Sequence, residues 1–85
     1  MDQIKEIEII PDVIDTAWCR ANHKYVKSCT DGEGREYTYT TEIDFVTGRI
    51  KYFARDEKGN FETFEGAFVI KIKTIPLPIK IQWKS

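Results

Sequence analysis

The stretch that decides the fold is residues 35–55, REYTYTTEIDFVTGRIKYFAR. Tyr37, Tyr39, Thr41, Ile43 and Phe45 fall on one face of an extended chain, and Glu36, Thr38, Thr40, Glu42 and Asp44 fall on the other. That two-residue period is the mark of a strand with one apolar and one wetted face. Thr47-Gly48 supplies a tight turn, after which Ile50, Tyr52 and Ala54 alternate with Lys51, Phe53 and Arg55. A return strand follows, so Arg35–Val46 and Ile50–Arg55 are expected to form an antiparallel hairpin.

Outward from this hairpin, Asp56–Asn60 reads as the next turn, with Gly59 at a position that needs positive φ. Phe61–Thr74 reads as one long strand, with Gly66 marking a bulge or bend. Leu77, Ile79, Ile81 and Trp83 alternate with Pro78, Lys80, Gln82 and Lys84 in a last strand. Pro78 has no amide proton to give, so that strand lies at an edge or joins the sheet after Pro78. On the N-terminal side the period changes. Val13, Ile14, Ala17, Trp18, Ala21 and Tyr25 recur at three- and four-residue spacing, which predicts an amphipathic helix. Asp12 suits its N-cap and Asp15 its first turn, and the helix is expected to end near Ser28, before the break at Asp31-Gly32-Glu33-Gly34. Gln3–Ile10 sets Ile7 and Ile9 opposite Glu6 and Glu8, a first strand ended by Pro11, with a one-turn helix around Ile4 and Ile7 as the competing reading.

The expected architecture is a single α+β domain spanning residues 1–85, in the order β-α-β-β-β-β. One N-terminal helix packs on a curled antiparallel sheet of four to five strands. This order resembles the cystatin and monellin fold, in which a sheet wraps around one helix. The inhibitory first hairpin loop of cystatins has a glutamine-x-valine-x-glycine pattern, and the equivalent turn here is Val46-Thr47-Gly48-Arg49. Protease inhibition therefore does not carry over. Tyr39–Tyr52, with Asp44, Thr47 and Gly48 at its turn, also resembles the hairpin of PepSY domains.

Composition bounds what such a domain can do. With 41% hydrophobic and 13% aromatic residues the chain has enough apolar surface to fold. At 85 residues its core is thin and can hardly spare a large ligand cavity. Thirteen basic against 14 acidic residues leave no global positive field, which disfavours general nucleic-acid binding. The charge is unevenly spread, and residues 66–85 carry Lys71, Lys73, Lys80 and Lys84 with no acid. The first 20 residues hold several acids and no apolar run, and no 18-residue apolar stretch occurs, so a cytoplasmic chain with no membrane association is expected. Cys19 and Cys29 are expected to be free thiols.

Catalytic and metal chemistry find little to stand on. Cys19, His23 and Cys29 have ligand-like spacing, but no second His or further Cys completes a four-ligand site, which leaves only Asp31 or Glu33 for the fourth ligand. Glu36, Glu42, Asp44, Asp56 and Glu57 occupy strand or turn positions that water ordinarily covers. Gly32-x-Gly34 is too short for a phosphate loop and lies between acids. The expectation is no enzyme, no cofactor and no metal.

The aromatic residues are more telling, because one helix–sheet interface does not hide them all. On Ile50–Arg55 each face carries an aromatic, Tyr52 or Phe53. Phe53, flanked by Lys51 and Arg55 and followed back to Arg49, is therefore the expected docking face for another protein, since aromatics beside arginine are common in binding hot spots. Asp12 and Asp15 form a weaker candidate. The function expected is a small inhibitor or regulatory adaptor that masks a larger partner, with a homodimer through the uncovered sheet face also open. Two alternatives remain: single-stranded nucleic acid on the basic and aromatic C-terminal strands, and a small ligand between helix and sheet, lined by Tyr37, Tyr39 and Trp18.

Overall fold

The computed structural model describes residues 10–84. The expected strand Gln3–Ile10 lies, apart from Ile10, outside the described residues. Val13–Asp15 (β1) leads directly into Thr16–Asn22 (α1), and eight further strands follow. They are Val26–Thr30 (β2), Glu36–Thr38 (β3), Thr40–Asp44 (β4), Arg49–Phe53 (β5), Thr63–Phe64 (β6), Ala67–Phe68 (β7), Ile70–Thr74 (β8) and Lys80–Trp83 (β9). The described residues thus form a small α+β fold with one short helix, and all their strand pairs are antiparallel.

The central hairpin is present, with Ile43 opposite Ile50 and Glu42 opposite Lys51. Its first strand, however, is two strands in different sheets. β3 pairs with β2 in a three-stranded sheet ordered β3-β2-β9, whereas β4 belongs to a four-stranded sheet ordered β1-β4-β5-β8. The joint is Tyr39, whose φ of 57° turns the chain from one sheet to the other. Ring-bearing and polar residues go on alternating in the sequence across this joint, which is why it reads as one strand, although Tyr39 itself turns to the outer face with Phe53 and Phe61.

The helix is shorter than expected and begins later. Asp15, not Asp12, is its N-cap, accepting a 2.8 Å hydrogen bond from the Trp18 amide. It ends at His23, which adopts the left-handed conformation. The region expected to continue it to Ser28 is β2 instead, paired with β3 on one side and β9 on the other. The reason is packing. Cys29 is fully buried between the sheets, and extended pairing satisfies both edges of this segment's backbone.

The core explains the departure from a sheet wrapped around a helix. Ile14, Ile43 and Ile50 from the four-stranded sheet meet Cys29 from the three-stranded sheet, with Ile75 closing one end. Trp18, Val26, Tyr37, Tyr52, Ile81 and Trp83 pack around them half-buried. A second sheet, more than the seven-residue helix, therefore covers the inner face, and the cystatin-like order is not what the strands form. Each buried isoleucine contributes about 1.5–3 kcal/mol.

Aspartates organise three of the connections. Asp31 Oδ1 accepts from the amides of Glu33 and Arg35, and Asp56 Oδ1 accepts from those of Lys58 and Asn60. Both loops place a left-handed glycine fourth, Gly34 and Gly59, so the same five-residue turn is built twice. Asp44 Oδ1 accepts from Val46 and Thr47 ahead of the turn at Gly48.

The expected long strand Phe61–Thr74 is also divided. Glu65 and Gly66 both have positive φ and form a turn that pairs Phe64 with Ala67 and Thr63 with Phe68. Only then does β8 begin, running along β5 from Arg49↔Thr74 to Phe53↔Ile70.

Candidate functional site

β5 has two faces with different fates. Ile50, Tyr52 and Ala54 point into the core, while Arg49, Lys51 and Phe53 share the outer face with their neighbours Thr74, Ile72 and Ile70 on β8. Lys51 Nζ lies 3.5 Å from Glu42 Oε2. Beyond the strand end, Arg55 bridges to Phe61, the Glu62 amide donates to the Ala54 carbonyl, and the Ala54 amide donates to the Val69 carbonyl. These ties hold the β6–β7 hairpin against the end of β5.

The result is an aromatic group built on Phe53. Its ring centroid lies 6.1 Å from Phe61 and 5.9 Å from Phe68, and Phe61 and Phe68 are 5.6 Å apart. Tyr39 meets Phe61 edge-on at 5.0 Å. All four pairs are steeply tilted, the arrangement ring quadrupoles favour. Arg55 lays its guanidinium 4.1 Å above the Tyr39 ring and 5.4 Å from that of Phe61. A shallow apolar recess of about 200 Å³ lies among Tyr39, Phe53, Phe61 and Phe68. The group is far from closed: exposure is 50% at Tyr39, 39% at Phe61 and 61% at Phe68. Ile70 and Ile72 extend the apolar surface along β8.

Of the four residues singled out from sequence, the structure brings Phe53 and Arg55 together. Lys51 lies one outward position back, while Arg49 is at the other end of β5, about 20 Å from Arg55 at strand rise. Tyr39, Phe61 and Phe68 are not among the residues expected on this docking face. The Glu65-Gly66 pair, read as a turn, would have returned Phe68 towards Phe61. Asp12 and Asp15 serve the fold, through the Asp12 carbonyl accepting from Phe45 and the Asp15 cap.

The basic C-terminal residues do not form one surface. Lys71 and Lys73 are on β8 and Lys80 is on β9, in different sheets. Lys71 pairs with Glu62 at 3.6 Å, and Trp83 packs on Trp18 at 6.1 Å. Cys19, His23 and Cys29 lie in α1, at its cap and in β2 respectively. Among the described residues no group of three or more His, Cys, Asp or Glu side chains could hold a metal ion. Burial and the nearby Asp31 charge push the Cys29 thiol up to about 11. Burial and Asp15 also raise Cys19.

A cleft of about 180 Å³ opens beside α1, lined by Cys19, Arg20, Tyr25, Thr40, Thr41 and Lys84 among others. The Thr40 hydroxyl there is buried and has no hydrogen-bond partner. Trp18, Tyr37 and Tyr39, expected to line such a pocket, do not. Tyr37 instead donates its hydroxyl to Asp31 Oδ2 at 2.9 Å. Burial pushes the Asp31 carboxyl up, but the Arg35 amide, the Tyr37 hydroxyl, the Glu33 amide and the Arg35 charge together hold it below its ordinary value.

Compared with models of known protein families, with curated proteins and with solved structures, the chain finds no match. No helix among the described residues is long and apolar enough to cross a membrane.

Proposed function

We propose that this chain is a non-enzymatic protein-binding module, a small cytoplasmic inhibitor or regulatory adaptor that masks a larger partner with the aromatic end of its outer sheet face. The observation that carries this reading is the cluster of Tyr39, Phe61 and Phe68 around Phe53, largely exposed and capped by Arg55. Contiguous apolar surface of this kind, centred on aromatics and arginine, is characteristic of docking sites. The free thiols of Cys19 and Cys29 suit a reducing compartment.

Affinity capture from a lysate of the source cells, in moderate salt and with nuclease, tests it when run with the wild type and with a Phe61→Ser, Phe68→Ser variant. Both rings are substantially exposed, so the variant is expected to stay folded. One stoichiometric protein held by the wild type and lost by the variant supports the reading. Equal retention by both overturns it, and loss of all retained material on nuclease treatment replaces it with nucleic-acid binding.

A second reading has one observation in its favour, the unpartnered Thr40 hydroxyl in the cleft beside α1. A small polar ligand that supplied the missing hydrogen bond would raise the melting temperature. The rise would be lost in Thr40→Val.

A further inference from the structure

Resting on the docking reading above, we infer that the free edge of β8 is a strand-addition site for a partner segment in which acidic and apolar residues alternate. Among the described residues β8 is the last strand of its sheet, and all five of its residues are exposed. Hydrogen bonds from the Ile75 amide to Gly48 and from the Ala54 amide to Val69 bracket its pairing with β5. Bonded and non-bonded residues alternate along an antiparallel ladder. Lys71 and Lys73 therefore turn their backbone groups towards β5, and Ile70, Ile72 and Thr74 turn theirs outward.

Side chains divide by the same parity. Ile70 and Ile72 stand on the outer face, continuous with Phe53. Lys71 and Lys73 stand on the inner face, where Lys73 Nζ lies 5.3 Å from the Tyr37 ring. A strand added to this edge thus meets two lysines on one side and two isoleucines on the other. Acidic residues facing the lysines and apolar residues facing the isoleucines complement it.

A second copy of the chain does not. Only the even-numbered backbone positions are free, so antiparallel self-pairing must match even positions with even ones. Lys71 or Lys73 then falls opposite a lysine of the other copy, and like charges directly opposite are destabilising. The lysines thus turn away self-association while leaving the edge open to an acidic strand.

The probe is an acetylated, amidated heptapeptide alternating glutamate and valine, added to the full chain and followed by amide hydrogen exchange. Exchange at Ile70, Ile72 and Thr74 is expected to slow about tenfold when about nine-tenths of the sites are filled. The parity makes a sharper demand. In the antiparallel addition inferred here, valines opposite Ile70 and Ile72 donate their amides, so N-methylation of the valines abolishes the protection, whereas N-methylation of the glutamates leaves it. Lys71→Glu with Lys73→Glu is expected to transfer preference to a lysine–valine peptide. No slowing at these three amides, or equal binding of the two methylated peptides, overturns the inference. Shifts confined to Tyr39, Phe61 and Phe68 also overturn it, yet leave the docking reading standing. That reading fails separately, if the Phe61→Ser, Phe68→Ser variant still captures the same protein.

Discussion

Replacing Tyr39 by glycine and by alanine separates backbone strain from ring packing at the joint between the two sheets. Tyr39 has a φ of 57°, and a non-glycine residue held there costs about 1–2 kcal/mol. Both substitutions remove the ring, with its 5.0 Å contact to Phe61 and its 4.1 Å stacking under Arg55, a loss of about 1–2.5 kcal/mol. Only glycine also relieves the strain. Against this, glycine gives up about 0.5–1 kcal/mol more chain entropy than alanine on folding. Taken at mid-range, Tyr39→Gly is therefore expected to be more stable than Tyr39→Ala by about 0.75 kcal/mol, or about 3–6 °C in Tm for a domain of this size. At an ordinary strand position the order is reversed, so the sign carries the test. Urea unfolding with equal m-values for the two variants measures the difference cleanly. An alanine variant as stable as the glycine variant, or more so, would refute the strain argument. Both variants lack the ring, so both should weaken capture of the docked protein alike.

Other expectations follow from single positions. A Cβ on Gly48 would collide with the Ile75 carbonyl oxygen at a φ of 80°, so Gly48→Ala should lose about 2–3 kcal/mol from strain and a disturbed ladder bond. Gly59 has a similar φ but open space around it, so Gly59→Ala should lose only about 1 kcal/mol, and equal losses in urea titrations would refute the clash. Asp44, held low mainly by the Thr47 and Val46 amides, and Asp31 both have depressed carboxyls. Their stabilisation is present above the unfolded carboxylate value of about 3.9 and is lost as pH falls through their lower folded values. Thermal melts should therefore show the gap between wild type and Asp31→Asn closing on acidification, and a constant gap would contradict this. Cys29 is fully buried with its thiol raised to about 11, so mass spectrometry after iodoacetamide at neutral pH should find it unmodified in native protein and modified in urea.

The hairpin itself was legible because residues on either side of Thr47-Gly48 alternate with period two; its register, with Ile43 opposite Ile50 and a shift between Thr40 and Glu42, was not. Nor was the break at Tyr39. Tyrosine carries no sign of positive φ, whereas glycine or asparagine there would have announced a turn. The helix was overextended because Ala21 and Tyr25 fit a helical spacing by position alone. Val26 and Thr30 are β-branched and argue for extension, but only the burial of Cys29 between two sheets decides it. Phe53 and Arg55 could be chosen from sequence because the strand has an aromatic on each face. Their neighbours came from a hairpin that Glu65-Gly66 signals only if Glu65 is allowed positive φ.

The aromatic end and the β8 edge need each other energetically. A large aromatic side chain offers about 200 Å², and Tyr39, Phe61 and Phe68 leave between 39% and 61% of theirs exposed. Covering all three removes about 300 Å² from water, or about 8 kcal/mol gross. Association itself takes about 4–15 kcal/mol, so the patch alone supports weak binding at most. A partner strand on β8 adds ladder bonds at about 1 kcal/mol each. It also places its apolar side chains beside Ile70 and Ile72, next to Phe53. Rings without a ladder give little specificity, because any apolar surface can cover them. A ladder without rings gives little affinity, because short strand pairs are marginal in water. Removing either, by Phe68→Ser or by reversing the charges of Lys71 and Lys73, should therefore weaken docking by more than the exposed position of the altered side chain suggests.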